Sequence, residues 1–134
     1  MNESIQLKNV TKIYDGMYGT RALDQATICI NPGEFTSIIG KSGSGKSTLL
    51  NMISCIDRPT EGEILFGDEK LHLYREAELT KWRGENIGIV FQFFQLMPTL
   101  TILENIILPM DFNHKYASGK RKTIALELLY KTGI

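Results

Sequence analysis

Apolar and polar positions along this chain change their period several times, and each change marks an element. Ile5 to Tyr14 alternates well enough to read as an edge strand, and Asp15-Gly16-Met17-Tyr18-Gly19 reads as the turn after it. Ala26-Thr27-Ile28-Cys29-Ile30 is a second strand, closed by Asn31-Pro32-Gly33. Glu34 to Ile39 reads as a buried strand, and Ile87-Gly88-Ile89-Val90-Phe91 is a continuous apolar run of the kind that forms a parallel strand covered on both faces. Helical spacing is expected over Thr48–Ile56, followed by the turn cluster Asp57–Gly62 and a short strand Glu63–Phe66 ending at Gly67. A helix is expected around Arg75 to Arg83, with Glu76 and Glu78 in its first turn and Lys81 and Arg83 in its last. Phe93 to Leu100 is an apolar loop broken by Pro98. Thr101 can cap a helix through Ile107, with Glu104 three residues on completing a capping box. A final amphipathic helix is expected from Ser118 to Lys131, with Ile124, Leu128 and Leu129 on one face and Gly133 just past its end.

Between the Glu34–Ile39 strand and the first helix lies Gly40-Lys41-Ser42-Gly43-Ser44-Gly45-Lys46-Ser47-Thr48, which satisfies G-x-x-x-x-G-K-[ST]. Glycines let such a backbone curl until successive N–H groups point inward as an anion-binding nest. A helix starting near Lys46 adds its partial positive charge to the same spot. Lys46 would reach the β- and γ-phosphates of a nucleotide, and the Ser47 hydroxyl would ligate Mg²⁺. A Gly/Ser-rich flexible turn could match the same letters, but the strand before it and the helix after it favour phosphate binding. Nucleoside triphosphate is therefore the expected ligand. Hydrolysis by such a site also needs an Asp, often with a Glu, at the end of an apolar strand. No four apolar residues followed by Asp-Glu occur after Gln92, so the expectation is a nucleotide-binding half-site on an incomplete chain.

Composition narrows the partners. The 134 residues suit one domain, and 15 basic against 15 acidic residues give a formal charge of zero. That balance argues against a nucleic-acid backbone as partner. Lys120-Arg121-Lys122 reads as a solvated helix start, and His72 and His114 as incidental. No apolar run approaches the about 20 residues that span a bilayer, and the first six residues show no secretory pattern. Cys29 and Cys55 sit inside apolar segments at a spacing that fits neither a metal site nor a disulfide framework, so both are expected to be buried free thiols of a cytoplasmic protein.

Tyr14, then Gly40–Thr48, then Gln92 resembles the first part of an ATP-binding-cassette (ABC) ATPase domain. Asp57-Arg58-Pro59-Thr60-Glu61-Gly62, Arg83 ahead of Ile87–Gln92, and Leu100-Thr101-Ile102-Leu103-Glu104-Asn105 are similar to the exporter branch handling lipoprotein release, macrolides and antimicrobial peptides. The resemblance implies an α/β fold, a P-loop NTPase of the ABC type. It would have a RecA-like parallel core, an antiparallel β subdomain and the start of a helical subdomain, left incomplete. Residues 1–92 would be the nucleotide-binding core with its β subdomain, and residues 93–134 the Q-loop and the start of the helical subdomain. It further implies that Tyr14 stacks on adenine, and that Gly40, Ser42, Gly43, Ser44, Gly45, Lys46, Ser47 and Thr48 hold the phosphates of ATP. Lys46 and Gln92 would serve catalysis, and Ser47 and Gln92 would contact Mg²⁺. Phe93, Phe94, Leu96, Met97 and Pro98 would help form a groove for the coupling helix of a membrane-spanning permease subunit, with a second ABC ATPase subunit completing a dimer. The subunit would then lie on the inner face of the cell membrane, held there by the permease. Lys41 stands where the family often has a small residue or Pro, and its side chain can point outward. The family's signature Leu-Ser-Gly-Gly-Gln, its Walker B acids and its switch histidine are not found in these residues, so this chain alone is expected to be inactive.

Two other readings stay open at the level of sequence. One is a truncated remnant that binds nucleotide without catalysis, and the other is a soluble ABC-type ATPase of translation or repair. Asp57–Gly62 and Leu100–Asn105 weigh against the second. A small P-loop kinase would make Tyr14 and Gln92 coincidences.

Overall fold

The computed structural model describes residues 3–16, 19–93, 95–113 and 116–133. Met17 and Tyr18 of the expected turn, Phe94 of the expected groove, and His114 lie outside them. The chain divides into two units, Met1–Asn86 and Ile87–Ile134.

The first unit is built on a four-stranded antiparallel sheet in the order β2-β1-β3-β4. Its strands are β1 (Ile5–Tyr14), β2 (Thr20–Ile30), β3 (Glu61–Phe66) and β4 (Glu69–Lys70). β1 was expected at the edge but is paired on both sides, with β2 and β3. Its sequence hides this because the alternation is broken by a bulge. Leu7 and Val10 are three residues apart, yet both are fully buried, because the ladder shifts register between them. Asn9 sits in that irregularity with φ 50. Facing it on β3 is Gly62 at φ 92, where a Cβ would come 2.4 Å from the Asn9 carbonyl oxygen. Only glycine permits that approach.

Helix α1 (Lys46–Ile53) packs against β1 and β2 and buries Met52. It stops before the expected Ile56 because Cys55 adopts φ 54. Helix α2 (Glu76–Asn86) carries its acids in the first turn and Arg83 in the last, as its sequence suggests, but it runs three residues past Arg83 and so leaves Lys81 outside the last turn. It buries Leu79 and Trp82, and the Trp82 ring meets Phe66 of β3 edge-on at 5.3 Å and 75°. Leu7, Val10, Met52, Ile64, Leu71, Leu79 and Trp82 form the core of this unit.

Two expected strands are absent as ladder elements. Glu34–Ile39 and Ile87–Phe91 pair with no strand among the described residues. Phe35 and Val90 are 97% and 99% exposed. A strand that reads as apolar on both faces forms only between neighbours, and none of the described segments supplies them. The parallel core expected from the sequence thus has no ladder among the described residues, and the sheet that they form is antiparallel. Cys29 was also expected to be buried and is exposed, because it stands on the outward face of β2.

The second unit pairs α3 (Ile102–Asn113) with α4 (Ser118–Thr132), burying Met110 and Ala125. The capping box is present: Thr101 N–H donates to Glu104 Oε2 at 2.8 Å, and Glu104 N–H donates to Thr101 Oγ1 at 3.2 Å. Asn105 ties the preceding loop to this helix. Its Oδ1 accepts from Met97 N–H at 2.8 Å, and its Nδ2 reaches the carbonyls of Met97, Leu100 and Thr101 at 3.0–3.2 Å. Proline at position 109 lies inside α3, which runs six residues past the expected end. The inward face of α4 is Arg121, Ile124, Ala125 and Leu129, whereas Leu128 is exposed. Arg121 pairs with Asp111 and donates from Nε to the Tyr116 carbonyl at 2.8 Å. Gly133 ends α4 in the left-handed region at φ 79, as expected.

Candidate phosphate-binding loop and base platform

The loop Gly40–Gly45 turns tightly, with Ser44 N–H donating to the Lys41 carbonyl at 3.3 Å, and delivers the chain into α1. Gly45 is the residue before the helix, with φ 87, and no side chain caps the helix there. Its place is fixed by β2. A Cβ on Gly45 would lie 2.4 Å from the Ala22 carbonyl oxygen. Ala22 has no partner on β1, because Lys12 pairs with Leu23 and Ile13 with Arg21. That bulge turns the Ala22 carbonyl toward the loop, and a left-handed glycine is the residue that fits against it.

The first N–H groups of α1 have no intrahelical acceptor, and no acidic residue stands in its first turn. A helix end of that kind favours an anion. Lys46 lies back along the loop, its Nζ donating to the Gly40 carbonyl at 2.9 Å and to the Lys41 carbonyl at 2.6 Å. Ser47 is exposed in the first turn, with Thr48 half-buried beside it. Ser42 and Gly43 lie at the exposed rim of the same turn. These groups fit a chain of phosphates: a backbone nest, one ammonium and two hydroxyls. Ser47 is the more exposed of the two hydroxyls. No cluster of three or more His, Cys, Asp or Glu side chains with metal-binding geometry occurs among the described residues.

Tyr14 closes β1 and pairs with Thr20, two residues from the Ala22 carbonyl that backs Gly45. The hairpin thus carries the tyrosine and the loop's support at the same end. The Tyr14 ring is 39% exposed and has the Lys12 ammonium 4.9 Å from its centroid. Gln92 belongs to the second unit and is exposed, as are Phe93, Leu96 and Met97.

The C-terminal end of α1 is gathered by residues that the sequence did not single out as a group. α1 has no basic residue in its last turn. Arg83 of α2 supplies one instead, donating to the Cys55 carbonyl at 2.6 Å and to Glu76 at 2.7 Å. Burial pushes the Cys55 thiol up to about 11, although Arg83 and Arg58 pull the other way, so it stays a neutral thiol. Lys12 donates to Asp57 Oδ1 and to the Arg58 carbonyl, each at 2.8 Å. Burial works against the charged Asp57 carboxyl, but Lys12, the Arg58 N–H and the Tyr14 hydroxyl outweigh it and hold the group below the usual carboxylate range. The sequence signal for this cluster was the i, i+2 spacing of Lys12 and Tyr14, which puts them on one face of a strand.

Residues 23–134 match the family described as ABC transporter. The chain is 51% identical over 128 residues to the ABC transporter ATP-binding protein MJ0796 of Methanocaldococcus jannaschii, covering 93% of this chain and 54% of that protein. It is 46% identical to the ABC transporter ATP-binding protein YxdL of Bacillus subtilis, covering 88% of this chain and 46% of that one. A solved dimeric structure of MJ0796, described as a post-hydrolysis state bound to ADP and Pi, superposes with a TM-score of 0.85 at 48% identity. That superposition covers 94% of this chain and 56% of the solved one. The chain spans about half the length of these relatives. Among the described residues, no helix is long and apolar enough to cross a membrane.

Proposed function

Since the chain belongs to the ABC transporter family, we propose that it carries the ATP-binding site of a transporter's ATPase subunit, in a cytoplasmic protein that couples nucleotide binding and hydrolysis to transport by membrane partners. Lys46 and the backbone of Gly40–Thr48 hold the phosphates, with Ser42 and Ser44 on the rim. Ser47 and Gln92 contact Mg²⁺, Gln92 addresses the attacking water, and Tyr14 stacks on adenine. Residues 1–92 serve as the nucleotide-binding core and residues 93–134 as the Q-loop and the start of the helical subdomain. A second ATPase subunit and a membrane-spanning permease are the partners, with Phe93, Leu96 and Met97 offered to the permease. Support for the dimer comes from the solved relative, which is described as dimeric and bound to ADP and Pi. The exporter branch is favoured by Asp57–Gly62 and Leu100–Asn105. Hydrolysis is expected to draw on acidic residues outside these 134, since none at a strand end follows Gln92.

The observation that carries the reading is the uncapped start of α1, entered through a left-handed Gly45 pressed on β2 and followed by Lys46. Titration calorimetry of the chain with ATP tests it. Lys46→Ala removes a charge-assisted contact and should weaken binding about tenfold or more. Unchanged affinity would show the loop assignment to be wrong.

A further inference from the structure

Lys12 belongs to no phosphate loop, yet its side chain is 13% exposed and its ammonium serves three groups at once. It lies 4.9 Å from the Tyr14 ring centroid and donates to Asp57 Oδ1 and to the Arg58 carbonyl, both at 2.8 Å. Asp57 is not a free tether. Its N–H donates to the Asn51 carbonyl at 3.3 Å, and that of Ile56 does so at 2.9 Å, which anchors the segment to the body of α1. α1 is the helix that starts in the phosphate loop. The ammonium therefore joins the tyrosine at the end of β1 to the helix that holds Lys46 and Ser47. We infer that Lys12 is a positioning residue that fixes the Tyr14 ring at a set distance from the phosphate loop, so that base and phosphates of one nucleotide are engaged together; this rests on the nucleotide reading above.

A second consequence follows from charge. With a cation on one face of the ring, a base stacks on the other face, against a ring whose electron density is drawn away from it. An ion pair that only held the fold together would affect every ligand of the loop alike. A positioning residue affects only ligands that carry a base.

The 134-residue chain is titrated with ATP and with inorganic tripolyphosphate, as itself and as Lys12→Met, Lys12→Arg, Tyr14→Ala and the Lys12→Met/Tyr14→Ala double variant. Lys12→Met should weaken ATP about fivefold and leave tripolyphosphate unchanged. Lys12→Arg, which keeps a cation over the ring, should recover most of that loss. The double variant should bind ATP no worse than Tyr14→Ala, because both changes remove the same interaction. Unchanged ATP affinity in Lys12→Met, or losses that add in the double variant, would overturn the inference. Should Lys12→Met disturb the fold and weaken both ligands, Lys12→Gln decides, since it keeps a donor for Asp57 and the Arg58 carbonyl but removes the cation from the ring: a loss confined to ATP supports the positioning role, and equal losses refute it. A Tyr14→Ala variant that loses ATP and tripolyphosphate equally removes the stacking reading, and this inference with it. A selective loss in Tyr14→Ala beside an unaffected Lys12→Met removes this inference alone.

Discussion

Gly45 combines two demands that no other residue meets together, a left-handed backbone and 2.4 Å between a Cβ and the Ala22 carbonyl oxygen. Neither can be relieved by turning a side chain, since the opposing atom is backbone. Gly45→Ala should lift the loop from β2 and weaken ATP and tripolyphosphate alike by about tenfold or more, from strain on the order of 1–2 kcal/mol plus the clash. Equal affinities for parent and variant in calorimetry would mean that β2 does not seat the loop. Asp57 gives a pH dependence with a definite sign. Its carboxyl is held below the usual range despite burial, so the ion pair with Lys12 contributes stability above the ordinary carboxylate pKa of about 4. That contribution is lost as pH falls through the lowered value in the fold. A carbon-detected NMR titration should place the Asp57 midpoint below that of an unfolded reference, and an Asp57→Asn variant should lose less stability between neutral and acid pH than the parent. A midpoint at the reference value would contradict the bridge.

At the scale of elements, the readings that held were local ones. The capping box of α3 was legible because Thr101 and Glu104 find each other within one turn, whatever surrounds them. Thr101→Ala should lower the stability of the helical pair by about 1 kcal/mol, read as a lower urea midpoint at unchanged slope. An unmoved midpoint would show the cap to be idle. Helix ends were less legible, because Cys55 and the residues after Ile107 are set by tertiary contacts and by chain geometry rather than by composition. β1 was misplaced at an edge because the register shifts along it, first between Leu7 and Val10, blur the alternation that reports burial. The loop itself was plain in the sequence, since its glycines, Lys46 and Ser47 are consecutive. The Lys12, Asp57 and Arg83 cluster was not, because its members are 26 to 71 residues apart and meet only through the sheet and α2.

Across the whole molecule, the apolar segments 34–39 and 87–91 lie outside any ladder, with Phe35, Ile39 and Val90 almost fully exposed. Surface of that kind calls for cover. The 134-residue chain should therefore bind a hydrophobic dye such as ANS through these segments. Absence of dye binding would show that these segments find cover of their own. In the second unit the amide of Asn105 grips four backbone groups between Met97 and Thr101. The consequence is mechanical. A push on Met97 cannot be absorbed as loop slack; it is handed to α3, a stiff rod about 18 Å long. Pro109 leaves the Asn105 carbonyl without its usual i+4 donor. The residue that clamps the loop thus stands at the rod's one missing rung, where a transmitted push would bend it first.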